Sequence, residues 1–230
     1  MKLVILTGGI ACGKSTVGDY MNQKYGITVI DSDKITYQLQ QPGGKAYNKI
    51  VQVFGEKYLN PDKTINRKEL GNLVFNDFSK RRILNHIVHP LVLRTIFFES
   101  MKHWFMRERI VVLDIPLFFE IHMKKEYFDE VLTVSVKKEV QIERLMKRND
   151  LTLEAAESRV SSQIPIEKKE EQSTFVVHNG GTIEDMQKQV DEFVKFVGSK
   201  QQIITRYPDP LFILFFLASI VVLLFSLFQK

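Results

Sequence analysis

Residues 8–15 of this 230-residue chain read Gly8-Gly9-Ile10-Ala11-Cys12-Gly13-Lys14-Ser15, the pattern G-x-x-x-x-G-K-S. The stretch follows the apolar run Leu3 to Leu6 and precedes a helical pattern, so it lies at a strand-to-helix turn. Because Gly8 and Gly13 carry no side chains, the loop between them can turn its amides inward around an anion. A chance glycine-rich turn does not explain the spacing, the Lys-Ser pair, the strand and the helix together. The stretch therefore predicts a phosphate-binding loop in an α/β fold of the P-loop NTPase type.

The loop predicts ATP and Mg²⁺ as cofactors. Lys14 places a positive charge at the β- and γ-phosphates, and Ser15 offers a hydroxyl to Mg²⁺. The helix that begins here turns the positive end of its dipole towards the anion. The predicted nucleotide ligands of the loop are Gly8, Gly9, Ile10, Ala11, Cys12, Gly13, Lys14, Ser15 and Thr16.

Short apolar strands alternate with amphipathic helices along the chain, as in a parallel sheet covered by helices on both faces. The predicted strands are Lys2 to Leu6, Thr28 to Ile30, Ile110 to Leu113, Val131 to Val136 and Thr174 to Val177. We expect a kinase domain over residues 1–207, with a mobile lid over the phosphates at about residues 148–165. The stretch between the second and third strands is largely helical and too long for one crossover helix. It predicts a helical insertion at about residues 34–107 that binds a second substrate.

Carboxylates near the loop are the groups that phosphoryl transfer needs besides positive charge. Asp31 and Asp33 follow the second predicted strand, which we expect to end beside the phosphate loop. One carboxylate there accepts the proton of an attacking hydroxyl, while the other holds a magnesium-bound water or caps the next helix. We favour Asp33 for the functional role, and Asp31 is balanced between substrate binding and capping. Asp114 ends the third strand, where it predicts a further carboxylate that supports magnesium.

Three arginines, Arg144, Arg148 and Arg159, lie in the predicted helix and lid that follow the fourth strand. A guanidinium presents paired donors to phosphate oxygens, so such side chains can neutralise charge on a phosphoryl group in transfer. For each of them, a position on a solvated helix face is the alternative.

The composition suits an enzyme that binds several phosphates. Lys and Arg outnumber Asp and Glu by 32 to 27, which gives a net charge of +5. The basic residues form no dense block among aromatic residues, so nucleic acid is a poor candidate as a partner. The single cysteine, Cys12, excludes an internal disulfide framework and fits a reducing compartment. The first strand begins at once after Met1, which predicts that no signal or transit peptide is present.

The segment from Leu211 to Phe228 has 18 residues without a charge. As a helix it covers about 27 Å, close to the hydrocarbon thickness of a bilayer. An amphipathic helix would show a polar stripe, and this segment shows none. We therefore expect a C-terminal transmembrane anchor with the catalytic domain in the cytosol, at the endoplasmic reticulum, the outer mitochondrial membrane or another membrane. A helix buried in the core or in a dimer interface is the alternative.

Further motifs extend over nearly all of residues 2–197. In chain order they are Thr7-Gly8-Gly9-Ile10, Ile30-Asp31-Ser32-Asp33, Gln41-Pro42-Gly43, Phe54-Gly55, Ile65-Asn66-Arg67, His89-Pro90, Ile115-Pro116-Leu117 with Phe119-Glu120, Gln141 to Arg148, and Asn179. This series resembles the dephospho-CoA kinases, and the apolar C-terminal segment resembles that of the animal-type members. The resemblance implies transfer of the γ-phosphate of ATP to the ribose 3′-hydroxyl of dephospho-CoA, which makes CoA.

The resemblance also implies roles for individual residues. Asp33 would be the base, and Arg67 and His89 would line the acceptor site in the insertion. Considered without the family, a histidine before a proline more often marks a helix boundary, and Arg67 is compatible with a surface position.

At the nucleotide, the resemblance implies that Arg144 and Arg148 belong to the lid and that Asn179 lies near the adenine. Two other functions stay open. One is a kinase of the same architecture that acts on a nucleoside monophosphate, and the other is a membrane-anchored nucleotide-binding scaffold without turnover.

Two pairs of residues depart from the family pattern. Ala11 and Cys12 replace the usual Gly-Ser at positions where phosphate is bound through the backbone, so we expect binding to be intact. Cys12 beside Lys14 at a helix N-terminus suggests a lowered thiol pKa and a redox role, although a tolerated small residue is the favoured interpretation. Ser173-Thr174 replace the usual Ala-Asp before the last strand, which puts nucleotide affinity in question if that Asp shapes the ATP site.

Overall fold

The computed structural model describes residues 1–199 of the chain, and five strands in this range form one sheet. The strands are β1 (Lys2–Gly8), β2 (Thr28–Asp31), β3 (Ile110–Asp114), β4 (Glu130–Ser135) and β5 (Phe175–His178). The neighbouring pairs β1 with β3, β1 with β4 and β4 with β5 are parallel. The predicted α/β class with a parallel sheet is confirmed, and the strand ends differ from the predicted ones by one or two residues.

The strand order is β2-β3-β1-β4-β5, which makes β1 the central strand. Val4, Ile5 and Leu6 are completely buried, as expected for a parallel strand covered on both faces. The neighbours of β1 are β3 and β4, so β3 separates β2 from the strand of the loop, and the expectation that β2 ends beside the phosphate loop stays a prediction. The connection from β1 to β2 skips one strand position, and β3 fills it later in the sequence.

Most of the sheet and its covering helices form one compact unit, here called the sheet unit, which takes in Met1–Val29 and, among the described residues, 109–199. Its helices are α1 (Lys14–Tyr25), α6 (Lys138–Asn149), α7 (Leu153–Ser161), α8 (Ile166–Glu171) and α9 (Ile183–Ser199). The buried face of α9 carries apolar residues three or four positions apart, the spacing of one helix face. These residues are Met186, Val190, Phe193 and Val197.

Polar contacts also tie α9 to α1. The carboxylate of Asp191 accepts hydrogen bonds from the ammonium of Lys24 and from the hydroxyls of Tyr20 and Tyr25, at 2.7–2.9 Å. These donors, Lys24 first, lower the pKa of Asp191 to about 2. The ion pair is solvent-exposed, so its main effect is to fix the direction of α9 rather than to add much stability.

The chain between β2 and β3 forms a second compact unit, Ile30–Glu108, here called the helical unit. Its helices are α2 (Ser32–Leu39), α3 (Lys45–Phe54), α4 (Arg67–Asn76) and α5 (Phe78–Phe105). It has an apolar core of its own, made by Ala46, Ile50, Phe54, Ile65, Leu70 and Val88. The bounds of this unit compare closely with the insertion expected at residues 34–107.

The sequence His89-Pro90 does not mark a helix boundary. Helix α5 continues through Pro90 and is 28 residues long. Proline removes one backbone donor and crowds the preceding turn. Both His89 and Pro90 are exposed, so water can satisfy the carbonyl that loses its partner, while Val88 keeps this part of the helix buried.

The predicted membrane anchor, Leu211 to Phe228, lies outside the described residues, as does the end of the kinase domain expected at residue 207. Within residues 1–199, no helix combines the length and the apolar character needed to cross a membrane.

The packing of α9 predicts the effect of one core substitution. Phe193 is 1% exposed, and its ring centroid lies 5.3 Å from that of Phe175 in β5. We expect Phe193→Ala to lower the free energy of unfolding by about 3–5 kcal/mol, because it leaves a cavity under the helix. Chemical denaturation followed by circular dichroism measures this. The neighbouring exposed residue gives the control, since Glu192→Ala should change the value by less than about 0.5 kcal/mol, and equal losses would contradict the packing described.

Candidate active site

The phosphate loop leaves β1 at Gly8 and enters α1 at Lys14. A Cβ atom on Gly8 would collide with the carbonyl oxygen of Val134 in β4. Gly13 has φ +86°, which L-residues rarely adopt, and a Cβ there would collide with the side-chain amide of Asn179. Both glycines of the motif are therefore required by close contacts as well as by backbone freedom.

Ala11 has a positive φ of 59°, in the left-handed region. For an alanine this conformation costs about 1–2 kcal/mol relative to a right-handed one. The position therefore favours a residue without a Cβ, and the expectation that the loop with Ala11 still binds phosphate stays a prediction.

Cys12 points into the apolar core of the sheet unit and is completely buried. Burial raises the pKa of its thiol, and this effect exceeds the opposing effects of the Val136 backbone and the Lys14 charge. The suggestion of a lowered pKa at a helix N-terminus is wrong, because the side chain faces away from the anion-binding side of the loop. The interpretation of Cys12 as a small core residue is the one that fits.

Lys14, Ser15 and Thr16 form the first turn of α1. The Lys14 ammonium donates to the carbonyl of Gly9 at 3.2 Å, so it lies over the first half of the loop. Ser15 and Thr16 are exposed at the helix N-terminus, where the dipole favours a negative charge. This turn supplies the cationic side chain, the hydroxyls and the free amides that a polyphosphate needs.

Asp114 ends β3 directly beside the strand of the loop. It is paired in register with Leu6, two residues before Gly8, and is 8% exposed. Within residues 1–199 no group of three or more His, Cys, Asp or Glu side chains is placed to hold a metal ion. Mg²⁺ is usually held by one or two protein ligands together with substrate phosphates and water, so the donor set of Ser15 and Asp114 fits this ion.

Asn179 follows β5 and fixes the loop from the side. Its Nδ2 donates to the Cys12 carbonyl at 2.8 Å, and its backbone N–H donates to Ser135 in β4. The half-buried Arg144, in α6, donates to the Asn179 carbonyl at 2.9 Å. The structure therefore brings Arg144, Asn179 and the loop together, whereas the lid role of Arg144 and the place of Asn179 near the adenine stay predictions.

The other two candidate arginines are exposed. Arg148 donates from Nε to the side chain of Asn149 at 2.9 Å, and Arg159 lies near the end of α7. No contact of theirs with the loop is observed among the described residues, so their roles as phosphate ligands stay predictions.

Three residues that hold the loop were not predicted as site residues. The buried Gln141 of α6 packs against Gly9, where a Cβ would lie 2.6 Å from its side-chain oxygen. Gln163, after α7, accepts a hydrogen bond from the Ile10 amide at 2.9 Å. The completely buried Lys169 donates to the Gly8 carbonyl at 3.4 Å. No local sequence signal identifies them, because their partners are backbone atoms more than 100 residues away.

In the helical unit, Asp31 and Asp33 lie at different positions of the N-terminus of α2. Oδ1 of Asp31 accepts from the amides of Asp33 and Lys34 at 2.8 and 2.9 Å and so caps α2. Asp33 is exposed in the first turn of the same helix. Asp31 therefore caps the helix through Oδ1, as one interpretation of the sequence expected. If Asp31 also binds substrate, it would do so through Oδ2.

Arg67 and His89 are the other candidates in the helical unit. Arg67 opens α4, and its guanidinium lies 4.7 Å from the ring centroid of Tyr37 in α2. Such stacking holds a guanidinium in one plane while its N–H groups stay available. His89 is exposed on α5. Their binding of an acceptor stays a prediction.

Ser173-Thr174 take part in joining β5 to β4. The hydroxyl of Thr174 accepts from the Val131 amide at 2.8 Å and donates to the Val131 carbonyl at 3.0 Å. Ser173 donates to the carbonyl of Lys169 at 2.6 Å. Thr174 thus provides an acceptor for this amide without a carboxylate, at the end of β5 that lies away from the phosphate loop.

Comparisons with known proteins agree on one family. A family model described as dephospho-CoA kinase matches residues 2–185. The dephospho-CoA kinase of Lactobacillus johnsonii is 43% identical over 193 residues, 84% of this chain and 96% of the relative. That of Arabidopsis thaliana is 37% identical over 192 residues, 84% of this chain and 82% of the relative. The solved dephospho-CoA kinase from Campylobacter jejuni is 32% identical, with a TM-score of 0.62 over 85% of this chain and 96% of that chain.

These relatives overturn the expected membrane localisation. The match takes in 96% of the Lactobacillus johnsonii protein, which leaves too little of that relative for an 18-residue span. The family model ends at residue 185. The prediction of membrane localisation was therefore wrong, since an uncharged apolar run of this length does not by itself identify a span. The likeness to animal-type members rests on the same segment, outside the described residues.

Of the positive-φ positions of the loop, Ala11 and Gly13 predict opposite effects of substitution. We expect Gly13→Ala to raise the dissociation constant of ATP at least about tenfold, because the backbone strain and the clash with Asn179 together exceed about 1.4 kcal/mol. Ala11→Gly should leave ATP affinity within about threefold and raise the thermal midpoint slightly, since relief of strain outweighs the added entropy of the unfolded chain. Calorimetric titration with ATP and thermal unfolding measure both. Equal loss of affinity in the two variants would contradict the loop geometry.

The burial of Cys12 predicts that its thiol reacts slowly with disulfide reagents. Because the chain has one cysteine, the total thiol titre reports this residue alone. We expect a disulfide reagent at pH 7 to react with the folded protein at least about tenfold more slowly than with the urea-unfolded protein, since the raised pKa reduces the reactive thiolate. Reaction of the folded protein at the unfolded rate would show that Cys12 is accessible.

Proposed function

Because this chain belongs to the dephospho-CoA kinase family, we infer that it transfers the γ-phosphate of ATP to the ribose 3′-hydroxyl of dephospho-CoA. It is a phosphotransferase of CoA biosynthesis. The family match over residues 2–185 carries this conclusion, and the phosphate loop at Gly8–Ser15 supports the nucleotide half of the reaction.

At the nucleotide, we propose that the amides of the loop and the Lys14 ammonium bind the β- and γ-phosphates. The ammonium donates to the Gly9 carbonyl, which holds its charge over the loop where the phosphates would bind. Ser15 and Asp114 would hold Mg²⁺, Ser15 by its hydroxyl and Asp114 by its carboxylate at the end of β3. When bound, the ion neutralises charge on the phosphates.

Arg144 is the arginine best supported as a ligand of the transferring phosphoryl group. Its NH1 lies 3.9 Å from the position of a Cβ on Gly13, and its NH2 is fixed on the Asn179 carbonyl. A fixed guanidinium loses little entropy when it binds a second group. Arg148, which is exposed, and Asn179, proposed to lie beside the adenine, complete the predicted nucleotide site.

At the acceptor, we propose Asp33 as the base that takes the proton of the 3′-hydroxyl. Asp31 is engaged in capping α2 through Oδ1, which leaves Asp33 as the carboxylate of this pair whose side chain is not a helix cap. Arg67, stacked on Tyr37, and His89 would bind the charged groups of dephospho-CoA.

The neighbouring aspartates allow a matched test of the base. The full-length protein with ATP, Mg²⁺ and dephospho-CoA should form CoA, and Asp33→Asn should lower kcat by about 10²–10⁴ because the hydroxyl loses its proton acceptor. Asp31→Asn should keep kcat within about tenfold, since asparagine caps a helix as well as aspartate does. Coupled assay of CoA formation gives both values.

Two further measurements complete the experiment: the variant Lys14→Ala tests the nucleotide site, and AMP as an alternative acceptor tests substrate specificity. Lys14→Ala should raise the dissociation constant of ATP and abolish most turnover. AMP in place of dephospho-CoA should be a poor acceptor if the pantetheine arm contributes binding energy to the transition state. Phosphorylation of AMP at the same kcat/KM would favour a nucleoside monophosphate kinase. Unchanged turnover in Asp33→Asn would exclude this aspartate as the base.

A further inference from the structure

Lys169 in α8 is a fully buried cation that the nucleotide site described above does not use directly. Its Nζ lies 2.6 Å from Oε1 of Glu120, and it donates to the carbonyl of Gly8 at 3.4 Å. An ammonium removed from water is costly unless it is paired and hydrogen-bonded. The Glu120–Lys169 pair therefore fixes the first residue of the phosphate loop relative to α8.

Glu120 extends this contact to the segment after α7. The same oxygen, Oε1, accepts a hydrogen bond from the amide of Ile164 at 3.2 Å. Pro165 follows, and a residue before proline is restricted to extended conformations. Two constraints therefore act on the backbone at Ile164, the hydrogen bond to Glu120 of the buried ion pair and the restriction imposed by Pro165. Together they fix the position of the neighbouring residue, Gln163.

Gln163 reaches the loop at a single peptide group. Its Oε1 accepts from the N–H of Ile10 at 2.9 Å, and the carbonyl of that same peptide, belonging to Gly9, accepts from Lys14 Nζ at 3.2 Å. A peptide group is planar and rigid, so fixing its N–H also fixes the direction of its carbonyl. Gln163 and Lys14 thus hold the two ends of one peptide unit.

We propose that Gln163 is a positioning residue for Lys14, supported by the Glu120–Lys169 pair. Gln163 sets the orientation of the Gly9–Ile10 peptide, and the Gly9 carbonyl then accepts a hydrogen bond from the ammonium and holds it over the loop. The proposal rests on the proposed function in that it assigns Lys14 to the phosphates of ATP.

The first test removes the Gln163 carboxamide. We expect Gln163→Ala to raise the dissociation constant of ATP and KM for ATP by about threefold to tenfold, the range for loss of one hydrogen bond that orients a charged group. kcat should fall less than KM rises. Gln172→Ala is the matched control, because this exposed residue lies in the same segment and bonds to Lys168 without reaching the loop. An unchanged KM in Gln163→Ala would overturn the proposal.

A double-mutant cycle separates positioning from a general structural effect. If Gln163 acts through the ammonium, Gln163→Ala should change ATP affinity by less than about twofold in a Lys14→Ala background. A loss as large as in the parent would show that Gln163 acts independently of Lys14 and would overturn the proposal. Thermal midpoints of the four proteins show whether either change acts by unfolding.

The support of Gln163 is tested by a charge-neutral replacement of the buried pair, Glu120→Gln with Lys169→Met. We expect it to raise the dissociation constant of ATP in the same range, without adding fully to Gln163→Ala. If the effects of the pair replacement and of Gln163→Ala on ATP affinity were fully additive, the Glu120–Lys169 pair would not act through Gln163. Should this variant not fold, the Gln163 cycle still decides the proposal. Titration with ATP in the absence of acceptor tests whether Gln163 positions Lys14. Formation of CoA by the unchanged protein tests the proposed function, so either claim can fail without the other.

Discussion

The close approach of β1 and β4 at the start of the phosphate loop is the constraint on which the site depends. Gly8 and Val134 are paired across the two strands, and the Val134 carbonyl occupies the space of a side chain on Gly8. The loop therefore leaves the sheet while still in contact with it. Further contacts follow at Gly9 against Gln141 and at Gly13 against Asn179, so the loop is held along its length by residues from distant parts of the chain.

The parallel sheet could be predicted because each strand is a short apolar run between helical patterns, and burial on both faces demands that composition. The loop could be predicted because its residues are adjacent in sequence. The side chains that hold the loop in place could not be predicted from the sequence. Gln141 and Lys169 are polar residues in helices and Gln163 lies just after one, where the sequence alone suggests a solvated surface. Their contacts with the loop join residues more than a hundred positions apart, and no local pattern records such contacts.

The same limit applies to the backbone conformation at Ala11 and to the error in the thiol pKa of Cys12. Residue type gave a small side chain in both places, but the conformation differs. Ala11 lies at positive φ, and Cys12 turns into the apolar core, where burial raises rather than lowers the pKa of its thiol. The division between Asp31 and Asp33 was anticipated more closely, because helix capping depends on short-range geometry that the sequence does show.

The placement of the helical unit between β2 and β3 affects how the protein folds as it is synthesised. Lys2 pairs with Ile110, so the central strand emerges first but must wait for more than a hundred residues before its neighbours exist. The helical unit is one continuous stretch with its own core, and its contacts are local enough to form early. During synthesis, the apolar strand β1 is therefore exposed for longer than any other strand of the sheet, and it is the segment for which a chaperone would matter most.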